Sequence, residues 1–174
     1  MGILTAYDKF IQVALKYGLS VFGLPKTGQT TVYTSYDDGY YQKGSSAYPR
    51  FIDNGDGTIT DKATGLMWQK DHWEEQLFWY DAIWDARVLL VGGYTDWRLP
   101  NIKELMSIVD FGRHAPCIDT DFFPNTPSAR FWSSTTVDGD EPYAWNLEFD
   151  NPYVGSASKE DTKCYIRPVR GGSW

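Results

Sequence analysis

Cysteine and histidine are scarce here, each present only twice among 174 residues. Two cysteines, Cys117 and Cys164, fit neither a four-ligand zinc site nor a Cys-x-x-Cys redox pair. With only His72 and His114, each in a turn-like context, no Ser/His/Asp constellation assembles. No HExxH motif and no Gly-rich phosphate loop occur. Carboxylates are plentiful, yet no pair is singled out by spacing as a general acid and base. A catalytic site is therefore not expected. No apolar run approaches the roughly 18 residues of a membrane span, and mean hydropathy is −0.44. Basic residues are outnumbered: net charge is −7 and pI is near 4.7. An acidic surface repels nucleic acid and anionic membranes, so neither is expected as a partner.

Aromatic residues are abundant, 17% of the chain with eight Trp. They bury large areas and also make flat binding platforms. The length suits one domain with a substantial core rather than two.

Residues 3–17 read as a helix, with Ile3, Tyr7, Phe10, Ile11, Ala14 and Leu15 at helical spacing. Asp8, Lys9 and Lys16 interrupt it, so it lacks the basic start and continuous apolar centre of a secretory signal. Two roles suit it: packing on its own domain, or self-association in a homo-oligomer, bundle or filament. The division expected is residues 1–23 as an assembly element and 24–174 as the folded domain. Leu24-Pro25-Lys26-Thr27-Gly28 spells the sortase sorting signal, but Gln-Thr-Thr follows instead of an apolar tail, and the match is read as coincidence. Residues 26–49 read as a long ordered loop with room for one short strand.

Phe51 to Trp68 reads as a hairpin about the Asn54-Gly55-Asp56-Gly57 turn. Asp53 and Asp56 suggest a calcium loop, but the EF-hand spacing and distal Glu are missing, and turn chemistry is the better account. Glu74 to Leu90 is predicted as a helix with Leu77, Tyr80, Ile83, Trp84 and Val88 on or near one face. A second helix is predicted over Asn101–Asp110, where Asn101 and Glu104 form a capping box. Ala144 to Phe149, and Tyr165 to Val169, alternate as strands. Cys117 and Cys164 are read as a disulfide closing a loop of roughly fifty residues, worth ~4 kcal/mol by chain entropy; two buried thiols are the alternative.

Several phrases then stand in order: Leu24–Thr30, Phe51–Thr58, Thr64-Gly65-Leu66-Met67-Trp68, Gly92–Leu105, Ile118–Pro124, Phe131–Thr135 and Arg167–Trp174. Together they resemble the C-terminal domain family of the Legionella collagen-like adhesin. That resemblance implies an α+β domain with a C-type-lectin-like fold, two helices flanking small twisted antiparallel sheets, and covers roughly Leu24 to Trp174. It implies a non-enzymatic extracellular adhesin or receptor-binding module, on a cell or virion surface. The basic surface that glycosaminoglycan binding needs is absent here, so that ligand is not carried over.

In several members of the resembled family the C-terminal third is hypervariable, diversified by a mutagenic retroelement. Here the matching segment is rich in adaptable polar and aromatic residues: Tyr143, Trp145, Asp150, Asn151, Tyr153, Ser156, Ser158, Lys159, Asp161 and Lys163. The resemblance implies that these face a protein or glycan ligand, with Trp145 and residues 131–135 setting the platform. Trp97 and Trp132 are expected in the core, Arg98 and Arg170 as buried or bridging charges.

Three alternatives draw on parts of the same sequence. A structural subunit of a filament or virion would assemble through residues 3–17. Calcium-dependent sugar binding would draw on Glu141 and Glu148, though Glu141-Pro142-Tyr143 and Trp145-Asn146-Leu147-Glu148 match that pattern imperfectly. Otherwise no cofactor is expected. Formylglycine-generating enzymes are similar at Arg98-Leu99-Pro100 and at Arg170–Trp174, but their chemistry implies two closely placed active-site cysteines, and no motif surrounds Cys117 or Cys164.

Overall fold

The computed structural model describes residues 23–45 and 47–172; the helix predicted over residues 3–17 lies outside them. The architecture is α+β with two antiparallel sheets. The first sheet orders β1 (Phe51–Asp53), β2 (Thr58–Asp61), β3 (Leu66–Gln69) and β7 (Val169–Gly171), so its last strand comes from the far end of the chain. The second is a meander of β4 (Arg130–Val137), β5 (Asp140–Glu148) and β6 (Tyr153–Ser158). Among the described residues three helices accompany them: α1 (Asp38–Tyr41), α2 (Trp79–Val88) and α3 (Ile102–Ser107).

Local chemistry explains the turns. Between β1 and β2, Gly55 and Gly57 take positive φ of 76° and 87°, a region that costs glycine little. Asp53 accepts from Gly55 N at 3.0 Å and Asp56 from Thr58 N at 3.1 Å. Both carboxylates are thus engaged in turn chemistry. At the end of β2, the fully buried Asp61 accepts from Arg50 at 3.1 and 2.8 Å, Ala63 N at 2.9 Å and Thr64 Oγ1 at 2.9 Å. A buried carboxylate is tolerated because each lone pair finds a donor. Residues 26–49 hold α1 instead of a strand, started by Asp37, whose side chain accepts from Tyr33, Thr34 and Tyr40 N.

The second sheet lies between two apolar clusters. Phe131 and Leu147 join Ile59, Trp68, Leu105, Phe123 and Phe149 in one. Trp132, Ala144 and Ala157 join Leu99, Ile166, Ala82 and Ala86 in the other. Trp97 and Trp132 are core, as expected, and their indole N–H groups donate to Val91 O at 3.2 Å and Leu77 O at 2.9 Å.

Both predicted helices are shorter than expected. Leu77 is not helical: its N–H donates to Cys164 O at 2.9 Å and its carbonyl accepts from Cys164 N at 3.1 Å. That bridge holds the chain extended until Phe78 (ψ 155°) caps α2. Helix α3 stops at Ser107 because Asp110 N turns to Cys117 O, at 3.0 Å.

The inward face of α2 also differs from the expectation. Ala82 and Ala86, one turn apart, are completely buried, while Tyr80, Trp84 and Val88 face outward. Small residues let the helix lie close to the sheet, where Trp132 fills the space. Hydrophobic periodicity finds the apolar residues of a helix, but not which of two apolar faces is covered.

The expected disulfide is corrected. Cys117 and Cys164 are buried free thiols. Cys117 belongs to the first cluster, its N–H donating to Phe149 O at 2.8 Å, and Cys164 to the second, so the sheet separates them.

Candidate functional site

The β5–β6 hairpin carries most of the residues expected to meet a ligand. Its register opposes Tyr143 to Ser158, Trp145 to Ser156, and Glu148 to Tyr153. Directly opposed residues share a face and alternate ones change face. Tyr143, Trp145, Ser156 and Ser158 therefore form one row, and Tyr153 lies on the other side of the sheet, beside Gly155. Tyr143 and Tyr153 are exposed, 39% and 62%, and Trp145 is half-buried. Asp150 and Asn151 are exposed in the turn joining the strands. The expected surface is thus two patches that meet at a hairpin, not one plane.

The remaining expected contacts are divided by their neighbours. Ser158 Oγ donates to Asp161 at 2.9 Å and accepts from Asp161 N at 3.2 Å, closing the turn after β6. Lys163 is exposed, with its ammonium 4.8 Å from the Phe78 ring centroid. Lys159 is a correction: it is 95% buried, donating to Thr136 Oγ1 at 2.9 Å and Glu141 O at 2.7 Å, with Trp79 4.3 Å below its ammonium. It holds β4, β5 and α2 together and is not free to meet a ligand.

Glu141 and Glu148, the residues on which calcium binding would draw, do not stand together. Seven residues apart on β5, they are separated by roughly 23 Å at ~3.3 Å per residue. Glu148 faces Arg130 at 3.5 Å. Among the described residues no three His, Cys, Asp or Glu side chains cluster.

Two concave regions were not anticipated. One is an open cleft of about 800 Å³ between the end of β3 and α2, walled by Trp73 and by Asp71, Glu74, Glu75 and Asp85. None of these carboxylates pairs with a cation among the described residues. Burial, then the neighbouring Asp81, push the Asp85 carboxyl above its usual range. His72 lines the same cleft with Nδ1 unpartnered, and burial followed by the Arg167 charge lowers its pKa. The signal available in the sequence was the run Asp71-His72-Trp73-Glu74-Glu75. The other region, about 630 Å³, lies between Thr27–Gly28, Tyr48–Phe51 and Phe122. Its Arg50 and Asp110 already pair within the fold, with Asp61 and Arg113.

Both thiols sit in apolar surroundings that disfavour the thiolate. Burial raises Cys117 to about 11 and Cys164 to about 12. Arg98 and Arg170 are the bridging charges expected: Arg98 pairs with Glu104 at 2.6 Å and Arg170 with Asp96 at 2.6 Å.

The family described as the Lcl C-terminal domain matches residues 57–170, about two thirds of the chain. The chain belongs to that family. No curated protein matches it. Membership of the Lcl C-terminal domain family is consistent with an adhesin-like, surface-associated protein, and no described helix is long and apolar enough to cross a membrane. The matched span includes β2 to β6, β7 up to Arg170, the hairpin and the acidic cleft, whereas β1 and the tyrosine-rich segment around α1 precede it.

Proposed function

We propose that this chain is a non-enzymatic recognition module of C-type-lectin-like fold, exposed on a cell or virion surface, whose β5–β6 hairpin meets a protein or glycan. One observation carries the reading. Within the hairpin, framework positions Ala144, Asn146, Leu147 and Ala157 are buried, while Tyr143, Asn151, Tyr153 and Ser156 are exposed. Changing the exposed set alters a surface without disturbing the core beneath it, and tyrosine offers contact area at little entropic cost. The pairing of β3 with the C-terminal β7 supports the lectin-like assignment, and the buried thiols support recognition over thiol chemistry. Self-association through residues 3–17 belongs to the same proposal, since multivalent display raises avidity without new contacts.

The test is a glycan array and a panel of surface proteins probed with the intact chain, with calcium and with chelator, beside a Tyr153→Ala, Asn151→Ala variant. Binding that survives chelation and falls in the variant, at unchanged Tm, supports the proposal. Binding lost with chelator, or unaltered in the variant, would sink it.

A further inference from the structure

The outward face of α2 is apolar and uncovered. Tyr80, Trp84 and Val88 recur at every fourth position and are 55%, 62% and 57% exposed, with Leu90 exposed just beyond. They form a stripe about 12 Å long, at ~1.5 Å rise per residue. A soluble domain leaves single apolar residues exposed freely, but a contiguous row containing Trp and Tyr marks an interaction surface. The core does not need this row, because Ala82 and Ala86 make the contact with the sheet.

Charge beside the stripe defines what fits. On a helix of 3.6 residues per turn, Asp81 and Asp85 stand next to Tyr80 and Trp84, on the edge that turns toward the cleft. Asp85 lines the cleft together with Asp71, Glu74 and Glu75. Five carboxylates thus border one side of the aromatic row, unpaired among the described residues. Arg87 stands on the opposite edge of the row, and Lys163 lies near the start of the helix at Phe78. Burial, then the neighbouring Asp81, raise the Asp85 carboxyl, so a positive charge placed beside it would favour its ionised form. An aromatic strip flanked by carboxylates matches a ligand with an apolar ridge and a row of cations alongside.

We propose that the α2 face and the adjoining acidic cleft dock a basic amphipathic segment of a partner protein, its apolar side on Tyr80, Trp84 and Val88 and its Lys or Arg side chains over Asp81, Asp85, Glu74 and Glu75. This surface is separate from the β5–β6 hairpin, so the chain can hold a partner and present the hairpin at once. Apolar contact gives most of the affinity and the carboxylates give orientation and salt sensitivity.

The probe is a fluorescein-labelled amphipathic peptide of Leu and Lys, about four helical turns long, titrated with the full chain by anisotropy. A Leu/Glu peptide of the same pattern is the control. The Leu/Lys peptide is expected to bind, more weakly as salt rises, and the Leu/Glu peptide not to bind. Trp84→Ser or Tyr80→Ser should each weaken binding by about tenfold or more without moving Tm, since a central aromatic is the usual hot spot. Glu74→Gln with Glu75→Gln and Asp85→Asn should weaken binding and flatten its salt dependence. Asp138→Asn with Asp140→Asn, the same kind of neutralisation at the β4–β5 turn, should leave both unchanged. Equal binding of the two peptides, indifference to Trp84→Ser, or equal loss on neutralising the distant turn would overturn the proposal. So would a Trp84→Ser change in the mass of the peptide-free protein by sedimentation, which would assign the face to a second copy of the chain. The hairpin variants leave this readout untouched, so the two surfaces fail or stand separately.

Discussion

Arg98 and Glu104 meet through two parallel hydrogen bonds, 2.7 and 2.6 Å long. The same Glu104 accepts from Asn101 N at 2.9 Å, and Arg98 also donates to Gly171 O at 3.1 Å. One carboxylate thereby closes the capping box of α3, and its arginine partner ties that helix start to β7. The hydrogen bonds to Glu104 raise the Arg98 pKa. Glu104→Ala is expected to destabilise the domain by about 1–2 kcal/mol, a Tm decrease of roughly 2–8 °C for a domain of this size. Glu104→Gln keeps an acceptor for Asn101 but loses the charge. A cost for Gln equal to that for Ala, in thermal unfolding by circular dichroism, would place the effect in the ion pair and not in the cap.

Features written in neighbouring residues were legible from sequence. Asn101 and Glu104 are three apart, the Gly55 and Gly57 turn is complete within itself, and Ala144 to Phe149 alternates without interruption. Features that depend on distant partners were not. Lys159 is buried because Thr136 and Glu141, eighteen or more positions away, accept its protons. Trp84 faces outward because Ala82 and Ala86 are the α2 residues buried in the cluster that holds Trp132, from across the fold. The acidic cleft needs Asp85 beside residues 71–75, and the stretch between them is held by bonds to distant backbone, Trp73 N to Ile166 O and Leu77 to Cys164.

Arg167 is completely buried and forms no ion pair among the described residues. Its guanidinium donates to Gln69 O at 3.0 Å, to Lys70 O and to Thr126 Oγ1 at 2.7 Å, and lies 5.0 Å from the Phe123 centroid. Burial draws its pKa down to about 9, so it remains protonated at neutral pH. Arg167→Ala leaves two carbonyls and a hydroxyl without their donor and empties a large volume; a loss of about 3–5 kcal/mol is expected. Thr126→Val removes one acceptor and should cost about 1–2 kcal/mol. Urea unfolding of both variants checks the order, and a Thr126→Val loss equal to that of Arg167→Ala contradicts it.

His72 gives the domain a pH dependence of known sign. Its ring packs edge-on against Tyr165, centroids 5.1 Å apart, and burial, then the Arg167 charge, lower its folded pKa below 6.5. The unfolded chain therefore binds the proton more readily, and stability falls as pH drops below 6.5 until the folded-state pKa is passed. His72→Gln should remove that slope. Asp85, whose folded pKa is raised, contributes the opposite slope at lower pH, but it is common to both proteins and cancels in their difference. Tm measured from pH 7.5 to pH 5 in the two proteins should diverge only below about 6.5. Parallel curves would mean that His72 is as readily protonated in the fold as outside it.

The two thiols test recognition against redox chemistry. Cys117 and Cys164 are held in separate apolar clusters on either side of the second sheet, and burial raises their pKa values to about 11 and about 12. A thiol becomes nucleophilic as its thiolate, and neither environment supplies a cation strong enough to offset burial. Near Cys164 the Arg130 charge acts in that direction, but it is outweighed. Iodoacetamide at pH 8 should therefore leave both cysteines unmodified in the native protein and alkylate both after denaturation. Mild oxidants should not remove two hydrogens from the intact mass, because closing the bridge would require the sheet between the clusters to open. Cys117→Ser and Cys164→Ser should lower stability, by about 1–3 kcal/mol for a hydroxyl placed in an apolar site, and should leave ligand binding at the hairpin unchanged. Rapid native alkylation of either residue, or loss of a ligand-dependent activity in a variant that still folds, would return the chain to the formylglycine-generating-enzyme alternative. A slow reaction that tracks global unfolding would not, since it reports only how often the core opens.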